Sequence, residues 1–185
     1  NSFINSGNDA IDLMTTKAVV VDSVLKNNGD KGISVGEGSN LFAVNNQFEA
    51  NAIGIQAKDS SSALLFNHSF IGNQTAIHAY KKNWRYGAGG MILAAKSQFI
   101  DNQLDLEAKK HSNIVLFDNF LQSELPEKRV HAWFVDDKYK HKAQQGSLPK
   151  QLKQLSAMLE IMKWVPVEQL TKRDNQHRGA HFVTD

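Results

Sequence analysis

The sequence predicts an all-β fold, a right-handed parallel β-helix of about five coils with a C-terminal capping helix. Three observations carry that prediction. Five segments share one pattern: a Phe or Leu, an Asn a few residues on, an apolar-x-apolar triplet, and a second alternating apolar run. Their starts at 3, 25, 48, 70 and 99 lie 22, 23, 22 and 29 residues apart, a regularity that marks a solenoid. Within each segment, β-branched and aromatic residues alternate with period two between clusters of Gly, Asn, Asp and Ser, the pattern of short strands and turns. A unit of about 22 residues leaves no room for a helix and suits a coil of three short strands.

The elements follow in order. Coil one holds Phe3, Ile11, Leu13, Val19 and Val21; coil two holds Leu25, Asn28, Ile33, Val35, Phe42 and Val44. Coil three holds Phe48, Asn51, Ile53, Ile55, Leu64 and Phe66. Coil four holds Phe70, Asn73, Ile77 and, beyond an insertion, Met91 and Leu93; coil five holds Phe99, Asn102, Leu104, Leu106, Ile114 and Leu116. Stacking sets like residues over like. Phe3, Leu25, Phe48, Phe70 and Phe99 form one internal file, and Ile11, Ile33, Ile53, Ile77 and Leu104 a second. Asn28, Asn51, Asn73 and Asn102 recur three residues after the file of rings. They are read as turn residues, since Asn tolerates left-handed backbone, and their stacked amides can bond one another.

The repeat fades after Asn119, which separates repeats over 1–119 from an appendage over 120–185. Val130–Val135 reads as one more strand. Ser147 and Pro149 open a helix, with Leu148, Leu152, Leu155, Leu159 and Met162 on one stripe and Lys150, Lys153 and Glu160 off it; Trp164 and Pro166 end it. This helix is expected to cap the open end of the solenoid. Residues 171–185 are polar.

Composition narrows the partners. Net charge is +2 over 185 residues, with 21 Lys/Arg against 19 Asp/Glu, so bulk electrostatics select none. The appendage is only mildly basic, which does not argue nucleic acid. There is no Cys, hence no disulfide and no thiol chemistry. No run approaches a membrane span. The chain opens inside a repeat without Met, and solenoids need terminal caps, so a further domain is expected upstream in the same polypeptide.

The first candidate site is the coil-four segment His78, Tyr80, Lys81, Lys82, Trp84, Arg85 and Tyr86, which combines aromatics and cations in an insertion. Insertions in solenoids become loops on one face. Sugar rings stack on Trp and Tyr, and Lys or Arg pairs with uronate, sulfate or phosphate. Tyr80 or His78 as base, with Arg85 neutralising a carboxylate, would suit a lyase or epimerase. The second candidate is acidic: Asp9, Asp12, Asp30 and Glu37. Such a set could bind Ca²⁺ or act as an acid/base pair on glycosides, while Lys31 offers Asp9 a simple ion-pair partner. His131, His141, His177 and His181 lack an acidic companion at metal spacing, so no metal and no cofactor are expected.

The repeat of Ser-Phe-x-x-Asn, then Ile-x-Leu, then Asn-Asn or Asn-His resembles the right-handed parallel β-helix repeat family, over residues 1–119. Gly7–Asp12 and Gly29–Ile33 resemble active-site turns of polygalacturonases, but the second aspartate of that family's pair is Lys31 here, and its Gly-His-Gly and Arg-x-Lys motifs have no counterpart. Asp9–Met14, Gly29–Glu37 and Tyr80–Gly87 are similar to bacterial surface proteins that join such repeats to a CotH-type kinase domain. That resemblance implies a β-helix appendage, with none of the kinase motifs in this chain. The expectation is a non-catalytic binding or scaffolding module of a bacterial secreted or surface protein, contacting a glycan or protein. An enzyme acting on an acidic polysaccharide and a structural fibre are the alternatives.

Overall fold

The computed structural model describes residues 1–117, 119 and 130–133. Coil one is β1 (Ser2–Ile4), β2 (Ile11–Met14) and β3 (Lys17–Val21); coil two is β4 (Val24–Lys26), β5 (Lys31–Gly36) and β6 (Asn40–Val44). Coil three is β7 (Gln47–Glu49), β8 (Ile53–Lys58) and β9 (Ser62–Phe66); coil four is β10 (Ser69–Ile71), β11 (Thr75–Tyr80) and β12 (Met91–Ala95). Coil five is β13 (Gln98–Ile100), β14 (Leu104–Ala108) and β15 (Asn113–Phe117), and β16 (Val130–Trp133) follows. The expected helix over 148–162, the polar tail, and the His141, His177 and His181 positions lie outside the described residues.

Three parallel sheets result. The first is β1-β4-β7-β10-β13, the second β14-β11-β8-β5-β2, and the third β16-β15-β12-β9-β6-β3. Phe3, Leu25, Phe48, Phe70 and Phe99 stand in one register file, as the sequence implied. The Phe48 and Phe70 rings stack at 4.9 Å and Phe70 and Phe99 at 5.0 Å, which is the spacing between neighbouring strands. Leu25, Ile33, Leu41, Ile55, Leu65 and Ile92 complete a core with no exposed surface.

The second file departs from expectation. Ile33 pairs with Ile55 and Ile77 with Leu106, whereas Ile53 pairs with Lys31 and Thr75, and Thr75 with Leu104. The core file is therefore Ile11, Ile33, Ile55, Ile77 and Leu106. In coils three to five the inward residue falls four positions after the turn Asn, so Ile53 and Leu104 occupy the corner, where Leu104 is 40% exposed.

The asparagines form a buried ladder. Asn28 Nδ2 donates to Asn51 Oδ1 (2.8 Å), Asn51 Nδ2 to Asn73 Oδ1 (3.1 Å), and Asn73 Nδ2 to Asn102 Oδ1 (3.0 Å). The left-handed backbone sits one residue earlier than the sequence suggested, at Asn5, Asn27, Ala50, Gly72 and Asp101. A second ladder links Ser23, Asn46, His68, Ser97 and Asn119: from Asn46 onward each side chain accepts the backbone N–H of the ladder residue one coil before, over 2.8–3.1 Å. Buried N–H groups at these turns are thereby paired coil by coil.

Candidate functional site

The strand β11 ends at Tyr80, and β12 resumes at Met91 in register with Ser62 of β9. The extra residues are thus expelled at the turn between the second and third sheets. Several bonds anchor the loop. The Asp59 side chain, 2% exposed, accepts the Lys82 and Asn83 N–H groups through Oδ1 at 2.8 and 2.7 Å. Asn83 Oδ1 accepts the Arg85 N–H (3.0 Å), and Ser60 N–H donates to the Ala88 carbonyl (3.0 Å). Gly89 N–H donates to the His111 carbonyl and Gly90 N–H to the Tyr80 carbonyl, both at 2.9 Å. Gly90 is required by close approach, because a Cβ there would collide with the Ala57 carbonyl.

Between this loop and the matching turn of coil five lies an open pocket of about 360 Å³. Lys81, Lys82 and Trp84 line it from one side, and Lys109, Lys110 and His111 from the other. Trp84 is 83% exposed, and the Arg85 guanidinium stands 5.9 Å from its ring, within cation–π range. Lys109 Nζ is 3.4 Å from Glu107 Oε1. Among the described residues, Lys81, Lys82 and Lys110 form no ion pair, so the pocket presents net positive charge beside an exposed indole. Tyr86 contributes a turn bond, from its N–H to the Asn83 carbonyl (3.3 Å), and does not line the pocket.

The sequence foresaw the loop but not its partner. Lys109, Lys110 and His111 were legible only as a basic triplet, and their relevance depends on coil five stacking over coil four.

His78 and Tyr80 lie on β11, not in the loop. Their rings stack at 4.8 Å. His78 belongs to an outward row with Asp12, Ser34, Gln56 and Glu107, so the structure puts Asp12 and His78, read as members of separate sites, on one sheet face. Gln56 Nε2 donates to His78 Nδ1 (2.9 Å), which leaves the ring proton on Nε2. That atom is 3.2 Å from Glu107 Oε2, an ion-pair distance without hydrogen-bond geometry. Burial, aided by Lys109 and Lys31, holds the His78 pKa below its ordinary value against the pull of Glu107. Burial likewise pushes the Tyr80 hydroxyl above its usual value, making it a hydrogen-bond donor at neutral pH.

The acidic candidates separate. Asp9 and Asp30 both contact Lys31 Nζ, Asp9 Oδ1 at 3.2 Å. Burial alone would lower the Lys31 pKa, but the bonds to Asp30 and Asp9 outweigh it and hold the ammonium above its ordinary value. These two carboxylates therefore serve a lysine. Glu37 lies in the turn beyond β5, about 20 Å along the strand from Asp30. No group of His, Asp and Glu with the arrangement of a metal site occurs among the described residues.

No curated protein and no solved structure matches the chain. The family model of the right-handed β-helix region matches residues 1–122, which contain all five coils and the pocket between coils four and five, and the chain belongs to that right-handed β-helix family.

Proposed function

We propose that the chain is a non-catalytic binding and scaffolding module of a bacterial secreted or surface protein, and that its pocket docks an acidic polysaccharide. The observation that carries this reading is the convergence of four lysines, His111 and an exposed Trp84 on one pocket with no carboxylate among its described lining residues. Ammonium groups pair with uronate or sulfate, and the indole offers a flat apolar surface to a sugar ring. Exposed ion pairs contribute only about 0.2–1 kcal/mol each. Affinity then comes from several pairs plus the stacking contact, and it weakens with salt. The reading as an appendage of a CotH-type surface protein rests on the sequence segments alone.

The test is a calorimetric titration with polygalacturonate, with dextran as the neutral comparison. Binding should fall by about tenfold when NaCl rises from about 50 to 500 mM. Trp84→Ala and Lys81→Ala/Lys110→Ala should each weaken it by about tenfold while leaving the urea midpoint unchanged. Equal affinity for dextran, or affinity untouched in both variants, would refute the proposal. Release of unsaturated uronate from the polymer would replace it with the enzyme reading.

A further inference from the structure

The outward row of the second sheet ends against the pocket. Asp12, Ser34, Gln56, His78 and Glu107 follow one another across β2, β5, β8, β11 and β14. Lys109, which lines the pocket, comes two residues after Glu107, and its N–H donates to the Ala79 carbonyl of β11 at 2.8 Å. Glu107 is therefore held between two bases. Its Oε2 is 3.2 Å from His78 Nε2, and its Oε1 is 3.4 Å from Lys109 Nζ. One carboxylate thus touches a buried imidazole and a cation of the pocket wall.

Among the described residues, three buried side-chain atoms have no hydrogen-bond partner, and all three stand in this row: Ser34 Oγ, Gln56 Oε1 and His78 Nε2. They mark the uncharged ring. Neutral His78 accepts from Gln56 Nε2 through Nδ1 at 2.9 Å. That leaves Gln56 Oε1 idle and points the ring proton on Nε2 toward Glu107 outside bonding geometry. Such orphaned polar atoms are costly in a buried place, and a second state of the row would use them.

We propose that His78 controls the charge of the pocket wall through Glu107: the neutral ring leaves the carboxylate on Lys109, and the protonated ring takes it and frees the ammonium for a polyanion. The proposal rests on the reading of the pocket as a polyanion site. Nδ1 takes the proton from water. Its N–H then needs an acceptor, which the Gln56 amide supplies by turning end for end to present Oε1. Ser34, the register partner of Gln56, carries an unused acceptor for the displaced NH₂ group. The charge draws the Glu107 carboxylate to Nε2–H. Around the ring, Glu107 favours the charge, Lys109 and Lys31 oppose it, and Tyr80 stacks on it at 4.8 Å. Lys58 of β8 lies over Gly36, and Asp12 stands three strands away. Burial, the largest effect, confines the change to the acid side of 6.5. The Lys109 side chain is 56% exposed, so its release equals one exposed ion pair, about two- to fivefold in affinity.

The test uses the full chain carrying His111→Gln, which removes the pocket's own histidine. It is titrated calorimetrically with dextran sulfate, whose charge is fixed over this range, at about pH 7.5 and about pH 5. Affinity should be about two- to fivefold higher at the lower pH. Adding His78→Gln, which keeps an acceptor for Gln56 and cannot charge, should erase the step. Adding Glu107→Gln should also erase it and hold affinity high at both values. A step that survives His78→Gln overturns the proposal. NMR of the unsubstituted chain reads the relay without a ligand. The Lys109 side-chain shift should follow the titration of His78. Glu107→Gln should abolish that link and move the His78 midpoint further down, since the carboxylate favours the charged ring. A Lys109 signal indifferent to His78 overturns the proposal even where the polymer binds. No binding at either pH, with the Lys109 link present, refutes the polyanion reading of the pocket and leaves the relay standing.

Discussion

Replacing His68 by Asn should make the protein more stable in acid and slightly less stable in base. His68 is 1% exposed and occupies a rung of the second polar ladder. Its Nδ1 accepts the Asn46 N–H at 2.9 Å, and its Nε2 faces the Ala43 carbonyl at 3.1 Å. This geometry requires the neutral ring with the proton on Nε2. Burial depresses the pKa from 6.5 to about 4. Between those values the unfolded chain binds a proton that the folded chain refuses, so stability is full above pH 6.5 and declines as pH falls toward about 4. The gap corresponds to about 3 kcal/mol.

Asparagine can take over both bonds, because it already does so on the same ladder. Asn46 Oδ1 accepts from Ser23 N–H (2.9 Å) and its Nδ2 donates to the Val20 carbonyl (2.9 Å). Asn119 repeats the pair with Ser97 N–H and the Ala94 carbonyl, both at 2.8 Å. What Asn loses is the edge-on packing of the imidazole against Phe48 (5.7 Å) and Phe70 (6.0 Å), a cost of about 1 kcal/mol. His68→Asn should therefore be about 1 kcal/mol less stable at pH 8, equal near pH 6, and about 1.5 kcal/mol more stable near pH 4.5. Urea unfolding followed by circular dichroism at these pH values measures the difference directly. Parallel stability curves for the two proteins would show that His68 titrates normally and would refute the reasoning.

Other perturbations test the frame and the site separately. Asn51→Ala removes an amide that accepts from Asn28 N–H (3.1 Å) and Nδ2 (2.8 Å) and donates to the Leu25 carbonyl (2.9 Å) and Asn73 Oδ1 (3.1 Å). With these partners buried, urea unfolding should show a loss of about 3 kcal/mol, and a loss below about 1 kcal/mol would mean that water replaces the rung. Gly54→Ala would place a Cβ 2.6 Å from the Ala76 carbonyl oxygen and 3.0 Å from the Phe70 ring. It should cost about 2 kcal/mol in the same assay, and wild-type stability would contradict that close approach. Asp59→Ala releases the Lys82 and Asn83 amides and should lower affinity for polygalacturonate although Asp59 does not line the pocket. Asp59→Asn keeps an acceptor and should retain most of that affinity, so equal losses in the two variants would count against the anchoring role.

Some of this was legible in the sequence because it repeats as residue type. The Phe file and the asparagine ladder use one side chain, or near relatives, at one spacing. The second ladder was not legible, because its rungs are Ser23, Asn46, His68, Ser97 and Asn119. What recurs there is an acceptor for the preceding coil's N–H, which Ser, Asn and neutral His supply equally well. The Ile53 register failed for a related reason. Its triplet carries two isoleucines, and only the length of the preceding turn decides which of them faces the core. At the site, the insertion announced Lys81, Lys82 and Trp84. Lys109, Lys110 and His111 belong to the next coil, so finding them required the stacking register.

The position of the pocket follows from a break in a third ladder. At the turn between the second and third sheets, Thr16 N–H donates to Ser39 Oγ and Ser39 N–H to Ser61 Oγ, both at 3.1 Å. The next rung is Gly90, whose own N–H donates to Ser112 Oγ at 3.2 Å but which has no side-chain oxygen to offer coil three. Ser61 N–H keeps only the bond within its own turn, to the Lys58 carbonyl at 3.1 Å, a bond that Ser39 N–H also makes, to the Gly36 carbonyl at 3.2 Å. A rung with a side chain cannot exist there, since a Cβ on Gly90 would strike the Ala57 carbonyl. One cross-coil bond is thus missing at the insertion while the β12 register survives intact. The other two turns carry unbroken ladders between coils three and four. The cationic pocket accordingly sits at the turn whose ladder is interrupted, and substitutions of Trp84 or Lys110 should be additive in stability with those of Asn51 or His68, sharing no hydrogen bond with them.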